Sequence, residues 1–235
     1  MDVVADGTPG LDWADAAVSA LTEALEVAGD ADRAVDMRRY IRDQFACFGV
    51  PTPQRRSIAT QVLAPLGPPS GRDLEALGPL AWAVDQRELQ YIAVDVLARH
   101  VKLARPELLA VAAGLVVTKS WWDTVDALAS KVIGPLVRQF PPLVETLDQW
   151  IVGDELWLAR TAILHQLSYK GDTDVDRLFR YSLTWASCPD FFARKAIGWA
   201  LRQYARTDPD AVRAFVAERR DVLSPLTVRE ASKHL

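Results

Sequence analysis

Soft metal-binding chemistry is scarce in this chain of 235 residues, and what there is of it is scattered. Cys47 and Cys188 show neither metal nor redox spacing, so both are expected to be buried, reduced thiols of a cytoplasmic protein. His100, His165 and His234 lie equally far apart, and neither a metal nor another cofactor is expected. An excess of positive charge is missing too. The formal net charge is −4, which excludes a generally basic nucleic-acid binder and confines any anion site to a local patch. No apolar run approaches the roughly 18 residues of a membrane span, so no membrane partner is expected. The acidic start Met1-Asp2-Val3-Val4-Ala5-Asp6 lacks the apolar centre of a signal peptide. Alternating strand-like runs are absent as well.

What is present is helical periodicity in a chain that is half apolar, enough for a substantial core. Residues 1–11, with Gly7, Pro9 and Gly10, read as a frayed lead-in, and 12–235 as a single domain. Proline and glycine mark expected helix ends at Gly49-Val50-Pro51-Thr52-Pro53, Leu66-Gly67-Pro68-Pro69-Ser70-Gly71, Gly78-Pro79, Gly134-Pro135, Pro141-Pro142 and Ser224-Pro225. The fold class is therefore all-α, built of short helices and short turns.

A repeat underlies it. Ala59, Ala93, Ala127, Ala162, Ala196 and Ala231 succeed one another at intervals of 34, 34, 35, 34 and 35 residues. A small residue in constant register lets neighbouring helices approach, which is the signature of a helix-pair solenoid. Counting from each alanine, Val94 and Ala98, Leu128 and Val132, Ile163 and Leu167, and Ile197 and Leu201 fall on a core face. Trp122, Asp126, Arg160, Arg194 and Trp199 fall on a separate arc of roughly 140°. Stacked repeats bring that arc into one concave, locally basic groove.

The chain is organised around Lys119-Ser120-Trp121-Trp122-Asp123-Thr124-Val125-Asp126. On a helix, Trp122 and Asp126 share a face, placing an indole beside a carboxylate. The indole offers a π face to a cation, and the carboxylate can hold water or stabilise positive charge. A plainer reading pairs Asp126 with Arg160 one repeat later as a structural ion pair. Trp13, Trp82, Trp121, Trp150, Trp157 and Trp185 read as core. Arg55-Arg56, after the turn at Thr52-Pro53, reads either as a solvated first turn or as a phosphate clamp, and Arg194-Lys195 and Arg202 admit the same two readings.

Several separated blocks resemble one family. They are Arg39-Tyr40-Ile41-Arg42 with Phe45, Gly49, Thr52-Pro53 and Arg55-Arg56; Val117 through Asp123 with Val125-Asp126; Trp157-Leu158 with Arg160 and Ala162-Ile163-Leu164; and Phe191-Phe192 with Lys195-Ala196-Ile197-Gly198-Trp199. From about Ala14 onward the chain resembles the AlkD-like DNA glycosylases, HEAT-like repeat enzymes that remove alkylated purines. Pro51 departs from the family's pattern, in which a polar residue precedes the Thr-Pro. The resemblance implies hydrolysis of the N-glycosidic bond of N3- or N7-alkylated purines, such as 3-methyladenine and 7-methylguanine, in double-stranded DNA. It also implies a surface that acts without flipping the base; a monomer is expected separately. Its catalytic positions look like Trp122, Asp126 and Trp199, with Arg160 supporting the DNA at the lesion. Tyr40, Thr52, Arg56, Phe191 and Phe192 match other cleft or backbone-contacting positions, and Arg194 and Lys195 join them as candidate DNA contacts. The rival is a non-catalytic HEAT-like module that binds DNA or protein through the same surface.

Overall fold

The computed structural model describes residues 9–235, so residues 1–8 of the expected lead-in lie outside the described part. Residues 9–11 already belong to the first helix, α1 (Pro9–Val27). No strand occurs among the described residues; the one trace of β pairing is a bridge between Ala46 and Gln86. No helix among them is long and apolar enough to cross a membrane. The chain divides into two compact units, Met1–Lys119 and Ser120–Leu235.

The first unit holds α1, α2 (Ala31–Tyr40), α3 (Thr52–Leu63), α4 (Gly71–Ala83), α5 (Arg87–His100) and α6 (Leu108–Val117). Its core is Leu21, Leu25, Leu74, Leu77, Leu89, Ile92, Leu97 and Leu108, with α1 against α3 and α4, and α4 against α5 and α6. The second unit begins with α7 (Trp122–Ala127), a π-helical turn (Leu128–Ile133) and α8 (Gly134–Gln139), and these three run on as one rod. It continues through α9 (Val144–Val152), α10 (Leu156–Leu164), α11 (Val175–Thr184), α12 (Phe191–Tyr204), α13 (Pro209–Glu218) and α14 (Pro225–Ala231).

Local chemistry sets these boundaries. Side chains of Asp30, Glu155, Asp174, Asp190, Asp208 and Ser224 each accept a backbone N–H of the helix they precede, and Ser70 with Asp73 forms a reciprocal capping box. Each such cap contributes about 1 kcal/mol, a useful amount for helices of only ten residues or so.

The six register alanines lie on α3, α5, α7, α10, α12 and α14, the second helices of successive pairs. Within the units these helices lie side by side: α3 on α5, then α7 on α10, α10 on α12, and α12 on α14. This is the HEAT-like helix-pair repeat. Val94, Leu128, Val132, Ile163, Ile197 and Leu201 are buried as the register requires, while Ala98 and Leu167 are half-buried.

Two expected helix ends are overridden by packing. Gly78-Pro79 lies inside α4, where Pro79 faces solvent and the buried Leu77, Ala81 and Trp82 hold the helix through the lost hydrogen bond. A Cβ on Gly78 would meet Leu115 Cδ1 at 2.7 Å, so the glycine serves close packing instead of a turn. Gly134-Pro135 likewise continues the rod, because a Cβ on Gly134 would sit 2.1 Å from the His165 carbonyl. The tryptophans also differ from expectation. Trp82 is buried, but Trp13, Trp121, Trp150, Trp157 and Trp185 are half-buried. Short helices packed in pairs leave too thin an interior within either unit to enclose so many indoles.

Candidate functional site

Arg160 organises the second unit's candidate site. It lies on α10, between α7 and α12, and its guanidinium is 4% exposed. Nε donates to Asp126 Oδ1 at 2.7 Å and Nη2 to Asp126 Oδ2 at 2.8 Å, a bidentate fork onto α7. Nη1 donates to the Phe192 carbonyl on α12. One side chain thus ties three neighbouring helices together. The plainer expectation of an Asp126–Arg160 pair is therefore present in the geometry.

The pair is not sealed: the Asp126 side chain remains 13% exposed. Burial pushes its carboxyl above the usual aspartate range, and the hydrogen bonds and charge of Arg160 oppose that rise. The fork occupies about two of the four lone-pair directions of the carboxylate, leaving the others for water or for a developing positive charge. Trp122 opens α7, half-buried, one turn before Asp126 on the same face. After Asp126 the rod widens into its π turn, and Ser130 Oγ donates to the Asp126 carbonyl at 2.7 Å. Such π turns are frequent at functional sites.

On α12, Phe192, Lys195, Trp199 and Arg202 follow at intervals of three, four and three residues, so they share one stripe. Trp199 is half-buried. Phe191 is exposed, while Phe192 packs into a cluster with Trp121 at 5.1 Å and Trp157 at 5.2 Å between ring centroids. Trp121 and Trp157, expected as core, instead form this half-buried aromatic wall beside Arg160. The adjacency of Trp121 to Trp122 and the place of Trp157 three residues before Arg160 were the available signals. The Trp121 indole N–H is buried there with no hydrogen-bond acceptor.

The remaining basic candidates have local partners. Arg194 Nε donates to the Cys188 carbonyl at 3.0 Å, bracing the loop before α12. Lys195 pairs with Glu230 at 3.1 Å on α14. Neither Cys188 nor Cys47 is in a disulfide, and each is half-buried where full burial was expected.

The first unit holds Tyr40, Thr52 and Arg56 separately. Tyr40 ends α2 and is 70% exposed. Thr52 is the first residue of α3, exposed, behind a Pro51 that offers no capping side chain. The turn before it is held from below by Glu88, whose fully buried carboxylate accepts the N–H groups of Phe48, Gly49 and Val50 at 2.9–3.2 Å. Gly49 has φ +90°, and a Cβ there would lie 2.0 Å from the Asp30 carbonyl, so only glycine fits. Of the arginine pair, Arg55 is buried with its guanidinium 4.6 Å from the Tyr91 ring centre. Arg56 is exposed and forks onto Asp95 at 3.1 and 3.3 Å. It also lines a cleft of about 670 Å³ with Trp13, Thr60, Ile92, Arg99 and His100. Among the described residues no three His, Cys, Asp or Glu side chains gather as a metal-ligand set.

Comparison with known proteins shows the family. The family model described as DNA alkylation repair enzyme matches residues 21–235. A solved structure described as a predicted DNA alkylation repair enzyme from Enterococcus faecalis is 32% identical, with a TM-score of 0.80 over 88% of this chain and 96% of its own. Two Streptococcus mutans structures share the fold at lower identity. One, smu.31, is 17% identical with a TM-score of 0.58 over 85% of this chain and 99% of its own. The other, AlkD2, is 19% identical with a TM-score of 0.57 over 75% of this chain and 87% of its own. No curated protein sequence matches.

Proposed function

This chain belongs to the DNA alkylation repair enzyme family, and from that premise we propose that it is a DNA glycosylase for cationic, N3- or N7-alkylated purines. The observation that carries the reading is the forked Arg160–Asp126 pair, left open at the carboxylate and set one turn from Trp122. The span of the family match supports treating 12–235 as one functional domain. The enzyme acts as a monomer on double-stranded DNA.

The chemistry follows from the charge of the lesion. An alkyl group on N3 or N7 makes the purine cationic, so the base leaves as a neutral molecule and little general-acid help is needed. As the C1′–N bond stretches, positive charge moves onto the deoxyribose, giving an oxocarbenium-like state. Asp126 supplies negative charge to that state and orients or deprotonates the attacking water. Trp122 and Trp199 supply π faces. Arg160 opposes the effect of burial on the carboxylate and fixes its direction. Tyr40, Thr52 and Arg56 of the first unit and Phe191, Phe192, Arg194 and Lys195 of the second are the candidate DNA contacts. Such an enzyme acts on the sugar and leaves the base in the stack, so the intrinsic lability of the cationic lesion sets its selectivity.

A second reading has its own support. Both Asp126 oxygens are engaged by Arg160, as they would be in a structural pair of a non-catalytic module. Incubating the protein with methylated duplex DNA and identifying free bases separates the two. Release of 3-methyladenine and 7-methylguanine, with uracil and hypoxanthine retained, is expected. Binding without release selects the non-catalytic module, and efficient release of uracil contradicts the selectivity argument.

A further inference from the structure

Between α12 and α14 lies a charged cluster of which the proposed function uses only Lys195. Glu230, on α14, is 5% exposed on its side chain and is surrounded by three cations. Lys195 Nζ lies 3.1 Å from Oε1, Arg202 Nη1 lies 2.8 Å from Oε2, and Lys233 Nζ donates to both oxygens at 2.8 and 2.9 Å. One carboxylate thus gathers three positive charges into a patch of net charge +2. The cationic side chains are themselves 24–47% exposed, so donors remain that Glu230 does not occupy.

The position of the patch gives it meaning. Lys195 and Arg202 lie on the same stripe of α12 as Trp199, four residues before it and three after. They are about 10 Å apart along the helix axis, with the indole between. Gly198, next to Trp199, is pressed onto α14 so closely that a Cβ would meet Glu230 Cβ at 2.5 Å. The stem of the side chain whose carboxylate gathers the cations therefore packs against the backbone next to Trp199. Every deoxyribose in DNA is flanked by two phosphates, so a surface that sets an indole against a sugar has anions on both sides of that indole.

We infer that Lys195, Arg202 and Lys233 form a phosphate site beside Trp199, and that Glu230 is the positioning residue that holds the three cations there. The inference rests on the reading of this chain as an enzyme acting on DNA. Glu230 touches no substrate; it keeps long, flexible side chains gathered before DNA arrives, which lowers the entropy cost of binding.

The test uses undamaged duplex DNA and the salt dependence of binding, so it does not depend on base release. Each phosphate contact contributes about 0.9 to the slope of log Kobs against log salt. Arg202→Gln with Lys233→Gln is expected to flatten that slope by about one to two, and Lys233→Gln alone by about one. An unchanged slope overturns the phosphate site. Glu230→Gln removes a negative charge, which by electrostatics alone tightens DNA binding. Positioning predicts the opposite sign, binding weakened several-fold in a variant whose thermal unfolding shows it folded at the assay temperature. Tighter binding with a steeper slope would show that Glu230 merely competes with DNA. If the full-length protein binds no duplex at all, the reading of the chain as DNA-acting fails with it. If it binds and releases methylated bases while all three slopes match the unsubstituted protein, only the cluster is wrong.

Discussion

Asp126 and Glu230 are both nearly enclosed carboxylates of the same unit, each on the second helix of a pair and each facing cations, yet their acidities are pushed in opposite directions. Glu230 is held down to about 2, first by the Lys233 hydrogen bond and then by Lys195, against the effect of burial. Asp126 has a single partner, and there burial outweighs the Arg160 fork, so its carboxyl is pushed up. The balance of burial against hydrogen-bonded cations decides the sign: burial leads at Asp126, with the Asp123 charge adding to it, and the Lys233 hydrogen bond leads at Glu230. A carboxylate saturated by three cations is locked, and further positive charge brings it little. One held by a single fork in a partly closed site gains when a new positive charge arrives, which suits it to an oxocarbenium-like state.

That contrast can be broken by experiment. Its largest consequence is for Asp126→Asn, which is expected to lose 7-methylguanine excision by about 10²-fold or more, measured in single turnover. Near-normal excision removes Asp126 from the chemistry. An asparagine also turns an amide N–H₂ toward the Arg160 fork, so the variant's unfolding is followed in parallel.

Next in size is Arg160→Met. It leaves Asp126 enclosed with no partner and is expected to cost about 3 kcal/mol in urea unfolding. Lys195→Met leaves Glu230 with two cations and is expected to cost no more than about 0.5 kcal/mol, since that lysine is a third exposed. Equal losses would erase the distinction between the two carboxylates. Trp199→Ala follows, with an expected loss of about tenfold in excision, the scale of one cation–π contact.

A separate consequence concerns stability against pH, where the signs differ. Glu230 has a depressed pKa, so its contribution is complete above its ordinary value near 4.5 and is lost as pH falls toward about 2. Asp126 has a raised pKa, so its contribution is present at low pH and is lost as pH rises through its folded value. Glu230→Gln should flatten the acid limb of a denaturation series, whereas a carboxyl-neutralising change at Asp126 should not. His165, buried and pushed down to about 4, adds a further loss between about 6.5 and 4 that both variants retain.

Much of this was legible along the chain. The alanine register found the six second helices, because a small residue at a helix crossing is a local requirement repeated every pair. The Trp122–Asp126 spacing put both on one helix face, since i and i+4 coincide on any helix. Gly78-Pro79 and Gly134-Pro135 misled, because each looks like a turn while serving close packing against Leu115 or the His165 carbonyl. The aromatic wall of Trp121, Trp157 and Phe192 was also hidden. A tryptophan's burial depends on what lies opposite it, and these three come from separate helices.

By itself, the order of residues determined the helices, their repeat and which side chains share a face, because those follow from periodicities of a few residues. Tertiary structure alone decided the partners of the charges. It gave Asp126 one arginine and Glu230 three cations, it turned Arg194 onto a loop carbonyl, and it buried Arg55 while exposing Arg56. A charge acts through its environment, and for Asp126, Arg56, Glu88 and the Glu230–Arg202 pair that environment comes from residues 28 to 40 positions away.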